Sequence, residues 1–479
     1  VSAVFAQTPI APEPLPFVGP PIDWYGMSPV IALLAGALIL MVAASLTPRW
    51  PRGLYALGTV VTAGVSATLL GFQWHRIDED GPIGLVGRAL NLDKFGVFVA
   101  ITICIAAGLA ALLLDDYLRR EDLDGIELYA LLLCSALGGV VMAMSNDLIV
   151  LFLGIEILSI ALYVMAAGHA RRMDSSESAL KYFVLGGFAS AFLLYGIALV
   201  YASTGSTNYA DVRSFLRNVT ILDDAVLMAG FALLLVGLAF KIAAAPFHVW
   251  TPDVYQGAPS PVTGFMASAA KAAAFAGMLR VFTQMFVDYQ KDWKPAVFAL
   301  AVLTLGVSSV LAVVQTNVKR MLAYSSINHA GFILVGVEAV SSDGTAGSLL
   351  YLLAYAVLVL GTFAVVTMVG RTGDVDHSLA RYRGLGRERP ALALGFTVLL
   401  LAQAGVPLTS GFVAKFGVIA AAVDAKSYAI AIVAMLAAVV SAFLYLRIMV
   451  SVWLADPEAG DEARERIRIP LSAGVVVVL

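Results

Sequence analysis

Apolar runs of about 20 residues recur along most of this chain, and they settle its solvent before any motif is read. A helix of that length crosses a hydrocarbon core about 30 Å thick. Backbone facing lipid must pair with itself, which leaves helices or closed barrels. The runs are continuous and lack the alternation of barrel strands, so they read as helices. A composition 60% hydrophobic and only 13% charged suits no soluble domain. Spans are expected at 29–46, 54–72, 95–114, 127–145, 148–168, 178–202, 224–248, 260–287, 295–315, 322–340, 347–370, 391–423 and 427–453. A last run, "IPLSAGVVVVL", is too short to cross alone and reads as the start of a fourteenth helix. The expected fold is an all-α polytopic membrane protein of about 14 transmembrane helices. Residues 1–28, rich in Pro, read as an extramembrane lead-in rather than a complete signal peptide.

Cys104 and Cys134 both fall inside apolar runs, and there is no CxxC, HExxH or His/Asp cluster at metal-ligand spacing. No P-loop and no GxGxxG unit is present, so no cofactor of its own is expected. A net charge of −3 with no basic arm gives no sign of nucleic acid. Energy must then come from a gradient or a partner. One set of loops holds Arg49, Arg52, Arg119, Arg120, Arg171, Arg172, Lys319, Arg320, Arg371, Arg381, Arg383, Arg387, Arg389, Arg464, Arg466 and Arg468. The alternate loops hold Arg76, Arg88, Lys94, Arg213, Arg217, Lys291, Lys294 and Lys426, about half as many. The first set is expected on the cytoplasmic side, with the N-terminus outside.

The remaining cations, Lys181, Lys241, Lys271, Arg280, Lys415 and Arg447, lie within spans, with Glu156 as the clear acid among them. Each charge at a helix centre costs about 2.5–3.5 kcal/mol on insertion scales. Two long spans also carry a break: Pro246 follows Lys241, and Pro407 precedes Lys415 between Gly405 and Gly411. Proline removes a donor and clashes with the carbonyl four residues back, here Ile242 and Gln403. Irregular backbone at membrane depth implies a wet, protein-lined cavity. The spacing of the breaks suggests two inverted five-helix units, residues 127–287 and 288–453, after helices 1–3 in 29–126 and before a cytoplasmic loop and the start of helix 14 in 454–479. Both lysines are expected on the outer side of their breaks.

Each charged residue has a bland reading beside a functional one. Lys241 and Lys415 either snorkel or form titratable sites beside the breaks. Lys271, among alanines, is either a structural partner or a relay with room for water. Lys181 lies early in its span, where snorkelling is easy. Arg280 and Arg447 stay protonated and read as structural or near-interface. Glu156 needs a cation beside it, and separating a Glu156–Lys241 pair would expel a proton from the lysine. His248 and His329 are either relays or hydrogen-bonded spectators, while His75, His169 and His377 fall in loops and are discounted.

"FKIAAAPFHVWTPDVYQGAPSPVTGFMASAAKAAAFAG" resembles the signature of the antiporter-like membrane subunits of respiratory complex I, the NADH–quinone oxidoreductase. The tyrosine in "PDVYQGAP" resembles the N-type branch, the counterpart of mitochondrial subunit 2. "SALKYFVLGGFASAFLLYG", "LGIEILSIALYVM", "VKRMLAYSSINHAGF" and "GVPLTSGFVAKF" point the same way, and the resemblance covers nearly the whole chain after residue 27. It implies 14 helices, two inverted repeats and a central hydrophilic axis. It implies proton-translocating roles for Glu156, Lys181, Lys241, Lys271 and Lys415, with Lys415 on the exit side. NADH, FMN, iron–sulfur clusters and quinone would be bound by partner subunits. M-type and K-type membrane neighbours, a peripheral redox arm and a bacterial cytoplasmic membrane complete what the resemblance implies. A stand-alone Mrp-like cation/proton antiporter and a non-conducting scaffold are the competing readings.

Overall fold

A computed structural model describes residues 19–47, 51–219, 224–374, 376–456 and 467–478. Most of the lead-in, with Arg49, Arg464 and Arg466, lies outside the described residues, as does the side chain of Arg52. The fold is helical throughout, with one small exception. Helices α1 (Trp24–Leu46) and α2 (Arg52–Asp80) lead to a hairpin of β1 (Ile83–Leu85) and β2 (Leu90–Leu92). Then come α3 (Lys94–Arg120), α4 (Glu127–Met144), α5 (Leu148–Ala166) and α6 (Met173–Thr204). A short amphipathic helix, α7 (Tyr209–Asn218), separates α6 from α8 (Ala225–Ile242). Helix α9 (Trp250–Gly257) precedes α10 (Ser260–Met285), which contains two π-helical turns. The second half runs α11 (Gln290–Val314), α12 (Val318–Glu338), α13 (Ser342–Gly370), α14 (Pro390–Ala404), α15 (Ser410–Asp424), α16 (Tyr428–Trp453) and α17 (Leu471–Val478).

Among the described residues, 11 helices are long and apolar enough to cross a membrane. Helix α12 is not one of them; Lys319, Arg320, His329 and Glu338 make it too polar. Helices α14 and α15 are each too short, because the chain breaks between them. The hairpin and α7 were not expected from the sequence. Both are short, and their polar residues hid them among loops.

Consecutive helices pack side by side, and α10 is enclosed by its neighbours along its whole length. Close approach needs small residues, as membrane helices generally do. A Cβ on Gly138 of α4 would come within 2.5 Å of Leu158 N on α5, and one on Gly154 of α5 within 2.8 Å of Met142 Cγ. The far end of α10 is fixed by charge. Asp93 caps α3 by accepting from Gly96 N at 2.7 Å, and Arg280 donates to both of its oxygens at 2.7 and 3.0 Å. The same guanidinium donates to Ala143 O at 2.6 Å. Arg447 donates to Val313 O and Gln315 O at 2.7 and 2.8 Å, closing the end of α11. Both intramembrane arginines are therefore structural anchors, as expected.

Because Arg280 is buried against one carboxylate, Arg280→Ala should destabilise the protein by about 3–5 kcal/mol, the usual cost of stranding a buried charge. Thermal unfolding in detergent would measure it. A double variant, Arg280→Met with Asp93→Ala, should recover part of the loss; equal instability of single and double variants would refute the anchor.

Candidate functional site

The first break leaves α8 earlier than proline chemistry alone would require. The helix stops at Ile242, Ala243 turns to a left-handed φ of 61°, and Pro246 sits in the irregular segment beyond. The carbonyl found capped is Phe240 O, not the expected Ile242 O: Trp250 Nε1 donates to it at 3.1 Å. Ala245 N is satisfied by Thr304 Oγ1 at 2.9 Å. Lys241 lies in the last turn of α8, where carbonyl dipoles favour a cation. It is 8% exposed, donates to Ser159 Oγ at 2.7 Å and Tyr163 OH at 3.3 Å, and lies 5.5 Å from the Tyr163 ring centroid. Tyr163 meets Tyr182 edge-on at 4.7 Å, and Tyr182 stacks on Trp250 at 4.6 Å. One aromatic layer thus walls the lysine.

The second break follows the same logic with the order reversed. Helix α14 ends at Ala404, Gly405 takes φ 86°, and α15 starts at Ser410 after a Thr409 cap. Lys415 Nζ donates to Ala404 O at 2.9 Å, so the cation itself caps the freed end; the capped carbonyl is again not the expected one, Gln403 O. Gln403 instead uses its side chain, donating to Thr362 Oγ1 at 2.5 Å. Lys415 lies 4.8 Å from the Phe332 centroid. Lys241 precedes its break and Lys415 follows its own.

Between them stand Lys271 and His329. Lys271, 2% exposed, donates to Ser326 O at 2.5 Å, and Ser326 Oγ lies 3.3 Å from Tyr255 OH. His329 sits 2.7 Å from Tyr351 OH through Nδ1 and 3.1 Å from Tyr445 OH through Nε2. Tyr445 OH in turn meets Ser325 Oγ at 2.6 Å. His329 is within electrostatic reach of both Lys271 and Lys415.

Two expectations need revision. Glu156 forms no direct ion pair with Lys241: its carboxylate accepts from Ser190 Oγ at 2.5 Å, and Ser159 and Tyr163 contact the lysine instead. Spacing explains it, since 156, 159 and 163 share one face of α5. The acid remains within electrostatic reach of the lysine. Lys181 points away from that pair. It is 42% exposed and bonded to Glu177 at 2.7 Å and Asp253 at 2.9 Å, the latter also held by Arg320 at 2.7 Å. His248 is half-buried and makes no side-chain contact with either lysine among the described residues. At the first break Ala243, Ala244 and Ala245 are buried and Pro246 is exposed, whereas Val406, Pro407 and Leu408 at the second break are all exposed.

The discounted loops hold the largest surprise. His377, Asp374 and Lys319 are all buried, and His377 Nε2 lies 2.7 Å from Asp374 Oδ1. Burial opposes ionisation of Asp374, but Lys319, His377 and Arg172 together hold its carboxyl well below the usual carboxylate range. His169 is buried beside Glu121 at 3.5 Å. A pattern search could not have found this group, because its members come from three separate loops and helix ends.

A family model described as "NADH:quinone oxidoreductase/Mrp antiporter, TM" matches residues 145–441. A curated NADH-quinone oxidoreductase subunit N 1 from Herpetosiphon aurantiacus is 40% identical over 471 residues, 97% of this chain and 94% of the relative. The chain belongs to the subunit N family of NADH-quinone oxidoreductases. A chain of respiratory complex I from Thermus thermophilus superposes with a TM-score of 0.79 at 31% identity, covering 94% of each chain. A chain of the Mrp complex from a Dietzia species shares the fold at a TM-score of 0.81, with 21% identity and 91% and 82% coverage. Among the described residues, no group of three or more His, Cys, Asp and Glu is arranged to hold a metal.

Trp250→Phe keeps the aromatic stacking but removes the indole donor to Phe240 O. Phe240 O still accepts from Ala243 N at 3.1 Å, so stability should fall by only about 0.5–1.5 kcal/mol, the net worth of one hydrogen bond, read from thermal unfolding in detergent.

Proposed function

We infer that this chain is a proton-translocating membrane subunit of NADH–quinone oxidoreductase, moving H⁺ through buried Glu and Lys sites while partner subunits carry out the redox reaction. The observation that carries the reading is the sequence of buried cations, Lys241, Lys271 and Lys415, two of them at the negative ends of broken helices. A fixed structural pair would not require a break beside each lysine. A site that alternately holds and releases a proton does, because water must reach it.

In this reading the proton waits on Lys241, with Glu156 setting by its charge how tightly it is held. Lys181, bound to Glu177 and Asp253, adjusts the cytoplasmic approach rather than touching the pair. Lys271 relays toward His329, and Lys415 faces the outlet or the next subunit. His248 is a lesser relay candidate beside the first break. Moving one charge against 100 mV costs about 2.3 kcal/mol, within reach of modest changes in the environment of a buried lysine.

The finer architecture is proposed with it: 14 transmembrane helices, inverted repeats at 127–287 and 288–453, the lead-in 1–28, helices 1–3 in 29–126 and the segment 454–479. The Arg-rich loops put that end of the bundle in the cytoplasm and the N-terminus outside, in a bacterial inner membrane. The exposed second break calls for protein cover, which favours M-type and K-type membrane neighbours on this chain. NADH, FMN, iron–sulfur clusters and quinone belong to other subunits and the peripheral arm.

Lys241→Met in an otherwise assembled complex should cut proton pumping into vesicles about tenfold or more, as loss of a proton-transfer group does. Glu156→Gln should slow it less. Normal pumping by a fully assembled Lys241→Met complex would favour a scaffold instead.

A further inference from the structure

The charged group at the Arg-rich end is idle in the scheme above. Asp374 and His377 come from the loop after α13, Lys319 from the first turn of α12, and Arg172 from the residue before α6. Asp374 accepts from Ser260 Oγ at 3.0 Å and from Arg172 at 3.2 Å, with Lys319 Nζ at 3.7 Å. Lys319 also donates to Ala258 O at 2.7 Å. Replacing such a cluster by well-packed apolar residues is often neutral or stabilising, so stability alone is a weak reason to keep it.

Its position supplies another reason. Ser260 opens α10, and Lys271 follows eleven residues later on the same helix. Lys319 and Ser326 stand seven residues apart, on one face of α12. Helix α12 packs against α9, which carries Tyr255, and Lys271 of α10 reaches it through Ser326 O, so the charged cluster and the Lys271–Ser326–Tyr255 group are joined by these three helices. Between the ends, Ala267 and Ala323 are small and buried, and Thr263 Oγ1 donates to Tyr255 O at 3.3 Å. The π-helical turn Met266–Ala270 falls in this stretch, directly before Lys271. Such turns interrupt the regular backbone ladder and recur at functional sites.

The outer approach is also built. Arg172 spans from buried Asp374 to Asp174 at 3.9 Å, whose side chain is 65% exposed. Asp174 lines a cavity of about 200 Å³ with Glu177, Lys181, Asp253 and Arg320.

We propose that Asp374, His377 and Lys319 form the loading point of a cytoplasmic proton path to Lys271, passing the hydroxyls of Tyr255 and Ser326 and separate from the Glu156–Lys241 site. This rests on the pumping reading above. Burial pushes His377 down from its ordinary range, with Asp374 opposing, which favours a neutral imidazole with a lone pair to accept a proton. Each transfer is a proton passed between lone pairs. Neutral Lys271 takes a proton from the hydroxyl chain, each hydroxyl recovers one from the group behind it, and the cluster is refilled from the cytoplasm. No electrons move.

The test uses the whole complex in vesicles, recording acidification per NADH oxidised and subunit content. His377→Gln can still donate to Asp374 but cannot carry a proton. Ser326→Ala leaves the backbone carbonyl that holds Lys271 and removes only the hydroxyl. Both variants should lose several-fold in protons moved per NADH, and Ser326→Thr should restore most of it. Wild-type stoichiometry in Ser326→Ala and His377→Gln, with Lys271→Met defective, would overturn the path and leave the pumping reading intact. Wild-type stoichiometry in Lys271→Met as well would overturn the pumping reading itself. If His377→Gln does not assemble, the Ser326→Ala and Ser326→Thr pair decides: loss with rescue supports the path, and no loss overturns it.

Discussion

Hydrocarbon does not solvate a charge or an unpaired amide, and every unusual feature of this chain answers to that fact. A helix can cross with no outside help only while its backbone ladder is continuous. Where the ladder is cut after Ile242 and after Ala404, something must take over the freed groups. Trp250 does so at one break and Lys415 at the other. At the second break the cation is therefore both part of the structural repair and the group proposed to carry the proton. Function there is not an addition to a finished scaffold.

The same constraint explains the division of labour among the charges. Arginines stay protonated, so they serve as fixed ties: Arg280 to Asp93 and Ala143, Arg447 to the end of α11. Lysines can lose a proton when desolvated, and they occupy the positions with hydroxyl and aromatic neighbours instead. Ser159 and Tyr163 keep Lys241 solvated by protein, while Glu156 on the same helix is bonded to Ser190.

Much of this was legible in the residues. A lysine or proline inside an apolar run is conspicuous because nothing else there is polar, so Lys241, Lys271, Lys415 and both breaks could be found by inspection. Contacts between elements were not legible. The sequence suggested a Glu156–Lys241 ion pair because it shows charges but not the hydroxyls that each of them bonds instead, Ser190 for the acid and Ser159 for the lysine. Lys319 and His377 passed for loop residues because only the folded chain brings the start of α12 against the loop after α13. The capped carbonyls differed from expectation because the helices stop before their prolines rather than bending at them.

Helix α10 is the least apolar of the 11 membrane-length helices among the described residues, and the most fully buried. It carries Lys271 and Arg280 and contains two π-helical turns. A segment of that kind gains little by partitioning into lipid by itself. Its place is stable once α3, α4 and α13 surround it and Asp93 receives Arg280. Biogenesis therefore has an order: the helices translated first must remain open long enough to accept α10, and α13, translated later, closes over it. The helix bearing Lys271 is the one that the membrane insertion machinery can least place without the rest of the chain.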